Sequence, residues 1–413
     1  MFPLTRKALS ESLFHTPHMC MKIKWKHDQG VPDSISRTDK MVRIFLQMLF
    51  LIGGALTARG PHRGFLDLMV EDEALEGSGF LPPIVEHHRH RILQPPPERA
   101  MPRQPLCPFG CQCGRRVVQC SDLGLSEVPA DIPKDTTLLD LQGNKITEIK
   151  DDAFKGLHHL QILILVNNKI VRIHARALVP LVSLQRLHLS RNNLLEVPTS
   201  LPSSLVELRL HENKIRKVPA TALSGLAHLY ALEMGDNPLE NKGIENGAFQ
   251  DLDRLAYIRI SEAHLESIPK GLPSHISELH LDGNKITTVN DGDLKGLAHL
   301  SKLGLGHNAI TAVANGSLEG ARNLQEVHLN DNKLTTVPRD LRNLKYTRAV
   351  FLHNNDISAL DAEAFCRTNG RVKKTLYTAI SLYGNPIHYW DVPPSIYRCT
   401  AGNGALQLGN LRK

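Results

Sequence analysis

Between Cys120 and Asn385 the apolar residues recur in a frame that predicts the same local structure many times over. Each unit contains a Leu-x-Leu alternation, as in Leu139 and Leu141, Leu163 and Leu165, Leu187 and Leu189, and Leu208 and Leu210. That alternation predicts a short strand whose leucines point inward while the residue between them faces out. Asparagine follows three residues after the second apolar position, at Asn144, Asn168, Asn192, Asn213, Asn237, Asn284, Asn308, Asn332, Asn355 and Asn385. Its amide both donates and accepts, so it can satisfy backbone groups that a sharp buried bend would otherwise strand. At Ala263 the asparagine is missing, yet Leu255, Ile258, Ile260 and Leu265 keep the frame. Counting Ala263, the spacings are 24, 24, 21, 24, 26, 21, 24, 24, 23 and 30 residues.

The phrase L-x-x-L-x-L-x-x-N-x-L at this period is the leucine-rich-repeat signature. A weaker unit formed by Val118, Cys120, Leu123 and Leu125 precedes the first clear one by 21 residues, which makes about twelve units. No unit can bury its apolar face alone, so the units must stack. The expected fold is an α/β repeat, a curved leucine-rich-repeat solenoid with a parallel inner β-sheet. At about 4.8 Å per strand the sheet spans roughly 55–60 Å. That is a platform for an extended partner rather than a deep pocket. A chain of 413 residues would otherwise suggest two or three globular domains.

The flanks carry the chemistry. Residues 41–58 run from Met41 and Arg43 through a dozen mostly apolar positions to small residues at Ala55 and Ala58, which reads as a secretory signal. The run is too short to span a bilayer comfortably, so a secreted protein without a membrane span is expected. Residues 1–40, including Cys20, then read as an upstream extension outside the mature protein, with an unusually long n-region of the signal as the rival reading. Six further cysteines flank the repeats: Cys107, Cys111, Cys113 and Cys120 ahead of them, Cys366 and Cys399 around the last unit. In a secreted chain an even count implies disulfides. Zinc is the rival reading for the first cluster, but it calls for a different spacing and a reducing compartment. A solenoid needs both raw ends covered, and disulfide-bonded caps at 107–125 and 361–413, around repeats at 126–360, would do this.

Charge narrows the function. The formal charge is +7, but residues 1–58 hold eight Lys/Arg against four Asp/Glu, so the remainder carries only +7 − 4 = +3. No basic stripe with interleaved aromatics appears, and no nucleic-acid partner is expected. Catalytic spacings such as G-x-S-x-G, H-E-x-x-H or a P-loop are also missing, so neither an enzyme nor a cofactor is expected. A receptor ectodomain is disfavoured by the lack of a second apolar segment. A soluble ligand for a cell-surface or innate-immune receptor remains the alternative to a matrix protein.

The stretches CPFGCQCGRRVVQCSDLGL (residues 107–125), TTLLDLQGNKITEIKDDAFKGL, GIENGAF, ELHLDGNKI and NGSL closely resemble the class I small leucine-rich proteoglycans. The resemblance covers residues 59–413 and includes the short, long, long rhythm of the spacings. It implies the pairing Cys107–Cys113, Cys111–Cys120 and Cys366–Cys399. It also implies a secreted matrix proteoglycan that binds fibrillar collagen, regulates fibril spacing and captures growth factors of the TGF-β class. Pairing of two copies through their concave faces is a further family habit.

Three sites follow. The acidic run DLMVEDEALEGSGF (residues 67–80) presents Ser78 before Gly79. A bare Ser-Gly is commonly a turn, but with Glu71, Asp72, Glu73 and Glu76 upstream the resemblance implies a chondroitin or dermatan sulfate chain there. The Pro/His/Arg-rich stretch that completes residues 59–106 would hold that chain away from the solenoid. Its His87, His88 and His90 read as a solvated linker before they read as a cation site. Asn315-Gly316-Ser317 is an N-glycosylation sequon. Tyr257-Ile258-Arg259-Ile260-Ser261-Glu262 matches the family stretch Y-I-R-I-A-D, which implies collagen contact through Tyr257, Arg259 and Glu262.

Overall fold

The computed structural model describes residues 107–367 and 373–409. The expected upstream extension, the expected signal segment and the stretch with Ser78 therefore lie outside the described residues. Fourteen strands form one sheet. The first two, Gln112–Gly114 and Val117–Gln119, pair as an antiparallel hairpin. All later pairings in that sheet are parallel. One strand per unit runs in chain order from Val117–Gln119 to Ala379–Ser381, twelve in all, and Leu406–Gln407 closes the edge.

Register is constant because one apolar position repeats. Leu139 pairs with Leu163, Leu163 with Leu187, Leu187 with Leu208 and Leu208 with Leu232. The row continues through Ile258, Leu279, Leu303, Val327, Val350 and Ile380. Each of these side chains is buried, whereas the residues on either side of it in the strand are mostly half-buried and form the open face of the sheet. A one-residue slip would turn the whole row outward, so burial alone pins the register.

The asparagines act as a ladder between units. Asn192 donates to Leu165 O at 2.9 Å in the preceding unit and to Leu189 O at 3.0 Å in its own, while its Oδ1 accepts the Ile170 N–H at 2.9 Å. Asn168, Asn213, Asn332 and Asn355 repeat the pattern. At Ala263 the ladder is interrupted. The Leu239 N–H turns back to Asn237 O at 2.8 Å, and Asn241 takes over part of the capping by accepting the Glu266 and Ser267 N–H groups.

The residue just before the asparagine position is left-handed in every unit. The column runs Asp122, Gly143, Asn167, Arg191, Glu212, Asp236, Glu262, Gly283, His307, Asp331, Asn354 and Gly384. Only three of the twelve are glycine, the residue that adopts this conformation without a Cβ penalty. The inter-unit hydrogen bonds of the ladder hold the others there.

The parallel sheet, the repeat and the end caps are as the sequence predicts. The helical half of an α/β repeat takes a reduced form: the return segments are turns, with 3-10 helices such as Asn241–Gly243 and Arg339–Asn343, and no α-helix occurs among the described residues. The three 21-residue units each carry two prolines in the return segment, at Pro129 and Pro133, Pro198 and Pro202, and Pro269 and Pro273. Proline removes donors and fixes φ, so the chain crosses extended and in fewer residues. Consecutive long units instead pair through small parallel ladders, Glu148–Ile149 with Arg172–Ile173 and Thr288–Val289 with Ala312–Val313.

Both ends are stapled. Cys107–Cys113 and Cys111–Cys120 hold the N-terminal hairpin, and Cys366–Cys399 closes the last unit. The hairpin turns through Arg115 and Arg116 with φ of 47° and 65°, a conformation such turns usually give to Asn-Gly. No helix among the described residues is long and apolar enough to cross a membrane.

Candidate functional site

Charges of opposite sign alternate across the open face of the sheet because equivalent strand positions lie side by side in register. Glu207 sits between Arg186, with Nε at 3.6 Å, and His188, with Nε2 at 3.3 Å, and it also pairs with Arg209. The His188 contact and the Arg209 charge outweigh burial and hold the Glu207 carboxyl down at about 2. Glu233, 3.4 Å from His211 Nδ1, is likewise held below the ordinary range, first by His211 and then by the charges of Arg209 and Arg259. Further along, His280 lies 3.1 Å from Glu278, and Lys302 lies 3.3 Å from Glu326. The open face is thus a row of acids, each flanked by cations or histidines.

The strand Tyr257–Arg259 stands in the middle of this row. Ile258 is buried, Tyr257 is half-buried and Arg259 is exposed. Register places Arg259 between Glu233 and His280, and Tyr257 between Ala231 and Glu278. The Tyr257 ring meets the His280 ring at 5.2 Å, and burial together with Glu233 pushes its phenol above the ordinary value. Tyr257 and Arg259 therefore share one face, as the alternation predicts. The alternation then breaks, for Ser261 is buried and Glu262 sits beyond the strand in a left-handed turn with φ of 52°. Glu262 is exposed on the rim of the face beside Asp236, whose carboxylate raises it above its ordinary range.

Glu233 and Asp236 join this cluster although the hexapeptide match does not contain them. They lie 26 residues before Arg259 and Glu262, one unit upstream, so repeat spacing was the signal that could have found them. Elsewhere on the face Ser381 Oγ is 3.1 Å from His353 Nδ1, and His353 Nε2 is 3.8 Å from Asp331. The order imitates a nucleophilic relay, but Ser381 is only 2% exposed and no substrate can reach its hydroxyl. The contact instead orients His353, which stacks on Tyr383 at 4.3 Å.

The leucine-rich-repeat family model matches residues 136–194, 203–265, 254–310, 274–334 and 298–357, and the leucine-rich-repeat N-terminal domain matches residues 107–133. Decorin from Equus caballus and decorin from Homo sapiens are each 50% identical over 88% of this chain and 99% of their own. Biglycan from Xenopus laevis is 51% identical over 85% of this chain and 95% of its own. The chain belongs to the class I small leucine-rich proteoglycans. Among solved structures, a chain in the octameric complex of Latrophilin 3, Unc5D and the leucine-rich-repeat protein FLRT2 aligns with a TM-score of 0.51 at 24% identity. It covers 71% of this chain and 100% of that one, a likeness of fold alone.

As a small leucine-rich proteoglycan the chain has one more candidate site inside the described residues. Asn315 is exposed two residues after the short strand Ala312–Val313, away from the main sheet. Its sequon partner Ser317 is 1% exposed, and the Ser317 hydroxyl has no hydrogen-bond partner among the described residues. The backbone around it is clamped, because the Gly316 and Leu318 N–H groups both donate to the buried Asp340 carboxylate at 2.9 and 3.0 Å. The Tyr257, Arg259 and Glu262 cluster and Asn315 are thus separate positions on the solenoid, and Ser78 lies outside the described residues.

Proposed function

We propose that this chain is the secreted core protein of an extracellular-matrix proteoglycan that docks on fibrillar collagen through the open face around Tyr257, Arg259 and Glu262. The observation that carries this reading is Arg259, exposed on a strand between Glu233 and His280 in a row of alternating charge. A rod-like partner bearing both signs can exchange ion pairs along such a row, which favours recognition and register over raw affinity. In this reading a glycosaminoglycan chain at Ser78 keeps neighbouring fibrils apart, and Asn315 carries an N-glycan. Because the Ser317 hydroxyl is buried in the folded unit, that glycan has to be added before the unit closes. Capture of growth factors of the TGF-β class rests on the family alone.

Two measurements test the proposal. Chondroitinase treatment of the secreted product is expected to collapse a diffuse high-mass band to a discrete core, and Ser78→Ala to abolish the diffuse band; a sharp untreated band contradicts the attachment. Arg259→Ala with Glu262→Ala is expected to weaken binding of the bare core to collagen I by about tenfold or more. Unchanged affinity would remove the cluster from the binding face.

A further inference from the structure

Beyond the collagen face, the molecule carries a second concentration of charge at its C-terminal end. A cleft of about 900 Å³ opens on the side where the chain enters the strands of the last three units, and six cations line it: Arg322, Arg342, Lys345, Arg367, Lys373 and Lys374. Of the acids near it, Glu319 also lines the cleft and is exposed, while two others are committed. Asp340 is buried and already accepts the Gly316 and Leu318 N–H groups, and Glu363 pairs with Arg342 at 3.4 Å. The other cations meet neutral groups where a partner is present. Arg367 donates to Asn343 Oδ1 at 2.8 and 3.1 Å, Lys374 to Tyr346 OH at 3.3 Å and Lys373 to Thr347 O at 3.3 Å.

This arrangement costs the isolated protein. Like charges crowd one concavity, and the burial of Lys373 is only partly offset by its cation–π contact with the buried Tyr377 ring, 3.2 Å from the centroid. The Arg342 Nε–H is buried without a hydrogen-bond partner among the described residues. Solvated surface cations would show neither feature, so the cleft differs from an ordinary solvated patch and can offer its charge to an anion. Burial pushes the Lys373 ammonium down to about 7, and a bound anion would raise it again.

We infer that this cleft binds a sulfated glycosaminoglycan segment. Guanidinium forks at Arg322, Arg342 and Arg367 match planar carboxylates and sulfate oxygens. The lysines supply point charges between them, and Tyr346, Asn323 and Asn343 at the wall offer an aromatic edge and amides suited to sugar hydroxyls. The cleft is open and its lining residues come from three consecutive units, which fits a polymer segment better than a single small anion. The polymer has two sources, this chain's own glycosaminoglycan or that of a neighbouring molecule. The first rests on the attachment at Ser78 proposed above, and the second does not.

The test uses the full-length secreted chain, natural and with Ser78→Ala, titrated with chondroitin and dermatan sulfate octasaccharides and their desulfated forms. The Ser78→Ala protein is expected to bind the sulfated octasaccharides, with affinity falling steeply between about 50 and about 200 mM salt. Substituting Ala for the exposed Arg322, Lys345 and Lys374 together is expected to lower that affinity about tenfold or more with an unchanged circular dichroism spectrum. Ala at the exposed Lys214 and Lys333 should leave it unchanged. If the natural proteoglycan binds only after chondroitinase digestion, its own chain fills the cleft; if it binds undigested, the cleft takes another molecule's chain. Should no glycosaminoglycan be found on Ser78 while octasaccharide binding persists, the attachment fails and the cleft stands. No octasaccharide binding, equal binding of desulfated sugar, equal binding by the triple variant, or binding only to phosphatidylserine vesicles overturns the inference.

Discussion

At the scale of single residues, the left-handed column exposes a trade between stability and recognition. Glu262 occupies a conformation that costs an L-residue about 1–2 kcal/mol, while the same position in other units is held by Gly143, Gly283 and Gly384. Its side chain also faces Asp236, a like charge. Neither feature helps folding, and under the proposed function the acid instead serves recognition on the rim of the open face. Glu262→Gly is therefore expected to stabilise the core by about 1 kcal/mol, read as a rise in Tm, and to weaken collagen I binding. Glu262→Ala keeps the backbone strain, so it should weaken binding with little gain in Tm. A fall in Tm for the glycine variant would show that the Glu262 side chain contributes to the fold.

At the scale of elements, the strands are stabilised by the acids set between basic neighbours in register. The Glu207 carboxyl is depressed from 4.5 to about 2 by His188 and Arg209. A depressed carboxyl contributes stability that is fully present above its unfolded value and is lost as the pH falls through the folded one. With solvent screening of this half-buried group taken into account, Glu207→Gln should cost about 1–2 kcal/mol at neutral pH. The difference from the natural chain should shrink between about pH 4.5 and about pH 2 in chemical denaturation. A difference that persists at pH 2 would trace the effect to packing rather than charge. The asparagine ladder belongs to the same scale. Removing one rung, as in Asn192→Ala, strands the Leu165 carbonyl and the Ile170 N–H that it now satisfies, and it is expected to cost about 2–3 kcal/mol.

At the scale of the whole molecule, stability is local because each unit touches its neighbours alone. The Cys366–Cys399 bridge closes a stretch of 33 residues, and its removal by serine at both positions should cost about 3–4 kcal/mol. That loss falls on the last unit, where Arg367 and Lys373 belong to the basic cleft. Hydrogen exchange should quicken from the C-terminal end inward, and octasaccharide binding should weaken. Collagen binding through the central strands should survive. Uniform loss of protection across all twelve units would mean that the solenoid unfolds as a single cooperative body.

Much of this protein is legible in its sequence because a repeat writes one structural rule many times. The Leu-x-Leu-x-x-Asn frame determined the twelve stacked strands, their register and the turn after each one, since every unit meets the same neighbours and burial leaves one solution. It also set Tyr257 and Arg259 on one face. Other features needed the tertiary structure. Ser261 looks outward by alternation but is buried, and Glu262 is turned onto the rim, because the chain leaves the strand through the left-handed position. Glu233 and Asp236 enter the Arg259 cluster from the preceding unit, a proximity created by stacking and not by adjacency in the chain. The basic cleft combines Arg322, Arg342 and Lys345 with Arg367, Lys373 and Lys374 across three units of 24, 23 and 30 residues. Arg322 and Lys345 stand at the same repeat position, four residues before successive strands, but Arg342, Arg367 and Lys373 follow no period, so the fold was needed to bring all six charges together.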